Sequence, residues 1–167
     1  MYKEGDLIIY GGDGVCKVVS IGPAPFSSLD QTKLYYTLAP LYRSGTVYAP
    51  TDVSVTMRPI LTEEEALALI RRIPSMEPEQ LSFSGSREAQ QGYKAMLQTY
   101  DIENLVKLIR IIYTKNAQAI ASKRSYSHVE ERFLKRAQEL LHGELAAALH
   151  IPVGEVAAFI TNAVKGE

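Results

Sequence analysis

Short apolar runs separated by turn-forming residues fill the first sixty positions of the chain. Five runs rich in Val, Ile, Tyr and Thr occupy residues 7–10, 15–21, 33–41, 46–49 and 53–60. Runs of this length and composition are typical of β-strands, and the Gly, Pro, Ser and Asp residues between them are typical of turns. The pattern predicts a five-stranded, all-β unit over residues 1–61.

A helical period replaces this pattern at Thr62. The segment Thr62-Glu63-Glu64-Glu65 has the spacing of a capping box, and Leu67, Ile70 and Ile73 continue an apolar stripe. Pro74 should end this helix. We therefore predict an α+β chain in which an all-α unit of about four to five helices covers residues 62–167.

The remaining helices can be placed less completely. Residues 74–86 hold two prolines and four serines and should form a loop. In residues 101–115, one face carries Leu105, Leu108, Ile109 and Ile112, and the opposite face carries Glu103, Lys107, Arg110 and Thr114. A further helix should begin at a Ser127 cap, and Pro152 should open a short last one.

The glycine-rich segment Gly11-Gly12-Asp13-Gly14 raises the question of a phosphate-binding loop. Such a loop needs a helix immediately after it, so that free backbone amides can point at the phosphate. The residues that follow are VCKVVSI, which form a strand pattern instead. We interpret the segment as a hairpin turn, in which these four residues supply positive φ angles.

Residue chemistry gives no support for an enzyme. The three histidines, His128, His142 and His150, lack metal-ligand spacing, and Cys16 has no CxxC partner. Acidic residues 63–65 suit a helix N-terminus and need no acid–base role. We expect no catalytic residue, metal site, cofactor or small-molecule substrate. With no apolar run long enough to span a bilayer and no signal-peptide pattern, we expect a cytoplasmic protein without a membrane partner.

Charge is unevenly distributed along the chain. The net charge is −1, yet residues 84–136 carry ten Lys and Arg against five Asp and Glu. An excess of this kind indicates either a polyanionic partner or an ordinary solvated helical face.

Ordered segments along nearly the whole chain resemble one known family. They are Gly5-Asp6 with IIY, the turn ending in Gly14-Val15, then LYYTL, TVYAP and VTMRPI, and in the helical part YKAML and SHVEERFLKRAQELLHGELA. Together they are similar to the CarD/CdnL family of bacterial transcription regulators. The resemblance implies a Tudor/SH3-like antiparallel β-barrel that docks on the RNA polymerase β subunit. It also implies a helical domain that contacts promoter DNA, largely independently of sequence, where the transcription bubble opens.

On this resemblance, the docking residues are Arg43, Val47 and Tyr48 around the edge strand 46–50. An edge strand can extend a partner's sheet through its main chain, and a proline at Val47 should remove one of its amide donors. Tyr48 stands where the family places an arginine.

The corresponding DNA-binding residues are Phe83, Arg87, Lys94, Lys107, Arg110 and Arg132. Lys94 and Arg132 match family positions, while Glu131 beside Arg132 would repel phosphate. The family's tryptophan wedge has no equivalent, because the chain contains no Trp. Phe83 is the nearest aromatic substitute, and strict counting back from Tyr93 gives Ala89.

Two functions therefore follow from the sequence. The first is a non-enzymatic regulator that bridges RNA polymerase and promoter DNA and modulates the stability of the open complex. The second is an adaptor whose barrel and helices bind proteins without DNA. Convergence of the basic residues on one surface would favour the first.

Overall fold

The computed structural model describes residues 1–52, 57–76, 86–122 and 128–165. The chain forms two compact units, Met1–Thr62 and Glu63–Glu167. Within these described ranges the first unit contains a five-stranded antiparallel sheet and the second contains five α-helices, which confirms the predicted α+β class.

The strands of the first unit are β1 (Leu7–Tyr10), β2 (Val15–Pro23), β3 (Leu34–Pro40), β4 (Val47–Pro50) and β5 (Met57–Pro59). They are ordered β4-β3-β2-β1-β5, with every neighbouring pair antiparallel. Among the described residues β4 and β5 are the two edges and do not pair with each other, so the sheet is open there. The first part of the predicted fifth strand, residues 53–56, lies outside the described residues.

One face of the sheet forms the hydrophobic core of the first unit. Its buried residues are Ile8, Cys16, Val18, Tyr36, Leu38, Ala49 and Met57. Alternate residues of a strand point to opposite faces, which explains why Tyr36 and Leu38 share this core. Between Val18 and Ser20 the pairing with β3 shifts by a β-bulge, and Val19 is exposed there.

The glycine segment forms the predicted hairpin turn between β1 and β2, with a different backbone from the one expected. Residues Gly11–Asp13 form a single 3₁₀ turn, and the Tyr10 amide donates to the Gly14 carbonyl at 3.0 Å. Positive φ angles occur at Gly11 (47°) and Gly14 (71°), but not at Gly12 or Asp13. Gly11, the first residue of the turn, and Gly14, the residue after it, thus supply the positive φ angles that reverse the chain.

The helices of the second unit are α1 (Glu63–Arg72), α2 (Ser86–Gln98), α3 (Ile102–Ala121), α4 (His128–Leu149) and α5 (Val156–Val164). α1 ends before Pro74, as predicted. α3 continues six residues past the predicted end at 115, and the segment after Pro152 first makes a 3₁₀ turn, Val153–Glu155. The predicted cap at Ser127 lies outside the described residues.

Buried apolar side chains unite these helices. On α1 they are Ala66, Leu69 and Ile70, so the buried face is rotated from the predicted 67-70-73 stripe, whose other members are half-buried. On α3 the predicted Leu105, Leu108 and Ile112 are buried, and Asp101 caps the helix by accepting a hydrogen bond from the Glu103 amide at 2.9 Å.

Within the described residues, no single helix combines the length and apolar composition needed to cross a membrane. α4 and the segment Val153–Val164, which meet at a 105° bend, reach those criteria only as a pair.

Candidate functional site

The edge strand β4 presents one backbone edge away from the described sheet. Its register pairs Val47 with Leu38 and Tyr48 with Thr37, and the Thr51 amide donates to the Leu34 carbonyl at 2.9 Å. In an antiparallel pair the hydrogen-bonded positions alternate along the strand. The amides of Val47 and Ala49 therefore face β3, and the Tyr48 amide faces outward.

This register corrects the expectation that Val47 offers a donor to a partner. Its amide belongs to the β3–β4 ladder, and its side chain packs against the core of the first unit. Tyr48 is the residue of β4 whose amide is directed away from β3, since Pro50 has no N–H.

The side chains around β4 separate into two groups. The Tyr48 ring contacts the Phe26 ring edge-on, with centroids 5.3 Å apart and planes at 86°, and Phe26 is 52% exposed. The Arg43 guanidinium forms an ion pair with the Asp13 carboxylate in the glycine turn. Arg43 is thus held by the turn, while Phe26 and Tyr48 form an aromatic pair beside the outward edge. Sequence reasoning missed Phe26 because it lies outside the strands.

A groove of about 340 Å³ lies between α2 and α4 in the second unit. It is lined by Gln90, Leu97, Val129, Arg132, Phe133 and Arg136. Its apolar part comes from both helices, and its two guanidinium groups both come from α4. We refer to it below as the α2–α4 groove.

Three of the predicted DNA-binding residues belong to the helices that form the groove. Arg132 lines it directly. Lys94 follows Gln90 by four residues and Arg87 precedes it by three, so both lie on the same side of α2 as Gln90. Both side chains are exposed. Arg136, one turn after Arg132, was not predicted, although its i,i+4 spacing from Arg132 was visible in the sequence.

A polar network beneath the groove ties α2, α3 and α4 together. The Lys115 ammonium of α3 donates to the Tyr93 hydroxyl of α2 at 3.1 Å and to the Glu130 carboxylate of α4 at 3.1 Å. The Tyr93 ring also packs against Phe133, with centroids 5.6 Å apart. Tyr93 is fully buried, so this network fixes the inner side of both groove helices.

The electrostatics of this network favour a charged Lys115. Burial opposes the charge, but the hydrogen bonds to Tyr93 and Glu130 outweigh it and raise the pKa of Lys115. Burial also raises the pKa of the Tyr93 hydroxyl, which keeps that group neutral. The ammonium therefore stays protonated at neutral pH and holds both partners.

Lys107 and Arg110, two other predicted DNA-binding residues, lie on α3 and not in the groove lining. Arg110 on α3 donates through its guanidinium to the Ile73 carbonyl, and Lys107 is half-buried on the same helix. The helical face of Arg110 had suggested that it faces water. Its guanidinium instead binds a backbone carbonyl in the turn that follows α1. Phe83 lies outside the described residues. Ala89, the other position considered for a wedge, is only 7% exposed.

Burial shifts the pKa of two titratable groups away from the groove. Burial lowers the pKa of His142, and burial raises the pKa of the Cys16 thiol to about 11. In the part of the chain that the structure describes, no three His, Cys, Asp or Glu side chains converge as metal ligands would.

A comparison with known protein families finds a match for the first unit. Residues 2–61 match the sequence model of the CarD-like/TRCF RID domain. The match covers β1 to β5 and stops before α1. A comparison with curated proteins finds no match to the chain.

Proposed function

We propose that this protein bridges the RNA polymerase β subunit and promoter DNA and modulates open-complex stability, since residues 2–61 match the CarD-like/TRCF RID domain family. The family's domain is a non-catalytic interaction domain and fits an RNA polymerase-interacting transcription factor. The choice of the β subunit, the DNA contact and the effect on the open complex are the parts that we propose.

The outward edge of β4 supports the docking half of this proposal. Its Tyr48 amide is directed away from β3, as β-strand addition by a partner requires. The Phe26–Tyr48 pair lies beside that edge and offers apolar contact area. A strand of the polymerase subunit would then gain main-chain hydrogen bonds from β4 and side-chain selectivity from the two rings.

The observation that carries the DNA half is the convergence of basic residues at the α2–α4 groove. Arg132 and Arg136 line it, and Lys94 and Arg87 lie on the groove side of α2. Guanidinium and ammonium groups on adjacent helices can contact successive phosphates of a DNA strand. An adaptor that binds only proteins has no need for this clustering, so we favour the regulator over the adaptor.

The experiment that tests the DNA half is a salt series of DNA affinity. We expect binding of the full chain to promoter duplex to fall steeply with salt, because each neutralised phosphate releases counterions. Lys94→Ala and Arg132→Ala should each reduce the slope of log affinity against log salt by about one.

Lys165→Ala is the matched control, since it removes the same charge from a different part of the second unit. Lys165 follows α5, and α4 extends roughly 20 Å beyond Arg136 before α5 begins. We expect this variant to keep the parent slope. Equal slope changes in all three variants would mean that the binding responds to total charge and not to the groove. No salt-dependent binding in the parent would favour the adaptor.

A further inference from the structure

The α2–α4 groove contains apolar side chains that phosphate binding does not require. Phosphate contacts need only cations or amide donors on an accessible surface, whereas this groove also has Leu97, Val129 and the Phe133 ring in its lining. Its volume of about 340 Å³ lies at the lower end of the range of small-molecule sites. The combination of aromatic, aliphatic and cationic side chains suits a ligand with a flat apolar part and an anionic part.

The aromatic member of the groove is held firmly. Phe133 packs against the buried Tyr93, which is itself hydrogen-bonded to Lys115. A ring fixed in this way loses little further freedom when a planar group packs on it, which lowers the cost of binding. Phe133 is half-buried and lines the groove, so its ring is both supported and accessible.

The cationic members lie on the same helix, one turn apart. Arg132 is exposed, and Arg136 forms an exposed ion pair with Glu139 at 3.4 Å. A pair of this kind contributes little energy and can exchange for a phosphate partner. The exposed Gln90 side chain of α2 lies on the opposite wall.

From these features, and resting on the proposed function, we propose that the α2–α4 groove accepts one unstacked nucleotide of opened DNA. The base lies against Phe133 between Leu97 and Val129, and its phosphate lies at Arg132 and Arg136. The chain has no tryptophan to insert into DNA, and it senses strand opening by binding an unpaired base in this groove. Stacking of an unpaired base on an aromatic side chain is a general mode of single-strand recognition.

Forked DNA with and without unpaired bases tests this assignment. Two forks of the same duplex carry three unpaired nucleotides at the junction, either adenines or abasic sugar-phosphates of equal charge. We expect the full chain to bind the adenine fork about five-fold tighter or more, the ratio that corresponds to ~1 kcal/mol of stacking. Equal affinities for the two forks would overturn the proposal.

The variant Phe133→Leu removes the ring but keeps an apolar side chain. We expect the preference for the adenine fork to disappear while affinity for the abasic fork stays within two-fold of the parent. A retained preference would contradict the role of Phe133.

A second test avoids any loss of folding, because the change is made after the chain has folded. Gln90 is exposed at the groove, so Gln90→Cys can be alkylated with N-ethylmaleimide to fill it. Cys16 is fully buried with a raised pKa, so it should not react. We expect the alkylated protein to lose the adenine preference and the unalkylated variant to keep it. Preference in both forms would overturn the groove as the site.

Failure of this inference can be told from failure of the proposed function. If the adenine and abasic forks bind equally but duplex binding still depends steeply on salt, the basic residues bind phosphates and the groove holds no base. If no salt-dependent duplex binding occurs, the proposed DNA contact itself is wrong.

Discussion

At the scale of single residues, the partner of each arginine decides what it can do. Arg110 and Arg132 both lie on amphipathic helices and both match a basic, DNA-facing pattern in the sequence. In the structure Arg110 bonds the Ile73 carbonyl after α1, whereas Arg132 is exposed at the α2–α4 groove. Sequence periodicity places a side chain on a face of its helix, but it cannot show which backbone carbonyl lies within reach of that face.

Arg110→Ala should therefore reduce stability and leave DNA binding largely unchanged. The substitution leaves the half-buried Ile73 carbonyl without its charged donor, which costs about 1–3 kcal/mol. Chemical denaturation of the full chain measures this cost, and the salt series of DNA affinity should keep the parent slope. Arg71→Ala, at an exposed position of α1, is the control and should change stability by less than about 0.5 kcal/mol. A reduced salt slope without lost stability would return Arg110 to the DNA-binding set.

At the scale of elements, the sequence predicts where most strands and helices lie. It does not predict which way a strand amide points or which face of a helix is buried. The first four strand runs, and the part of the fifth that the structure describes, follow from hydrophobic periodicity, which depends only on local pattern. The direction of the Val47 amide could not be predicted, because it depends on the register with β3. The rotated core face of α1 depends in the same way on packing against other helices.

The candidate site likewise has a part that the sequence predicts and a part that depends on how the helices pack. Arg132 and Lys94 could be proposed as DNA-binding residues from the family resemblance. The groove could not, since Gln90, Leu97 and Phe133 meet only when α2 packs beside α4. The sequence analysis did not delimit α2, which begins directly after a Ser- and Pro-rich segment.

If a partner strand pairs with the outward edge of β4, a proline at Tyr48 should weaken that pairing. Tyr48→Pro removes both the ring and the outward amide, whereas Tyr48→Ala removes the ring alone. Proline is tolerated in an edge strand where its missing N–H faces away from the sheet. We expect Tyr48→Pro to bind core RNA polymerase about three- to ten-fold more weakly than Tyr48→Ala, as the loss of one net hydrogen bond implies.

Val47→Pro provides the contrast, because its amide bonds β3. It should lower the thermal midpoint of the first unit, while Tyr48→Pro should not lower it beyond Tyr48→Ala. Equal polymerase binding by the Pro and Ala variants at Tyr48 would rule out strand addition at this edge. Docking would then rest on side chains alone.

At the scale of the whole molecule, the two units carry different halves of the proposed function. The first, Met1–Thr62, has a core of its own on one face of its sheet. The second, Glu63–Glu167, has a separate helical core that includes Leu69, Leu108 and Leu145. A chain with two cores can bind two partners through separate surfaces.

We expect residues 1–61 to fold without the helical unit, because their core and turns are all encoded within that segment. The circular dichroism spectrum of this fragment should show β-structure and a cooperative thermal transition. A helical or unfolded spectrum would place the boundary elsewhere.

The lifetime of the promoter open complex shows whether one chain bridges polymerase and DNA. The lifetime is measured with polymerase alone, with the full chain, and with Lys94→Glu/Arg132→Glu, a variant that reverses two charges outside the first unit. We expect the full chain to change the lifetime. The double variant should still bind core polymerase but leave the lifetime near that of polymerase alone. A double variant that binds polymerase and changes the lifetime as much as the parent does would contradict the proposed bridge between polymerase and DNA.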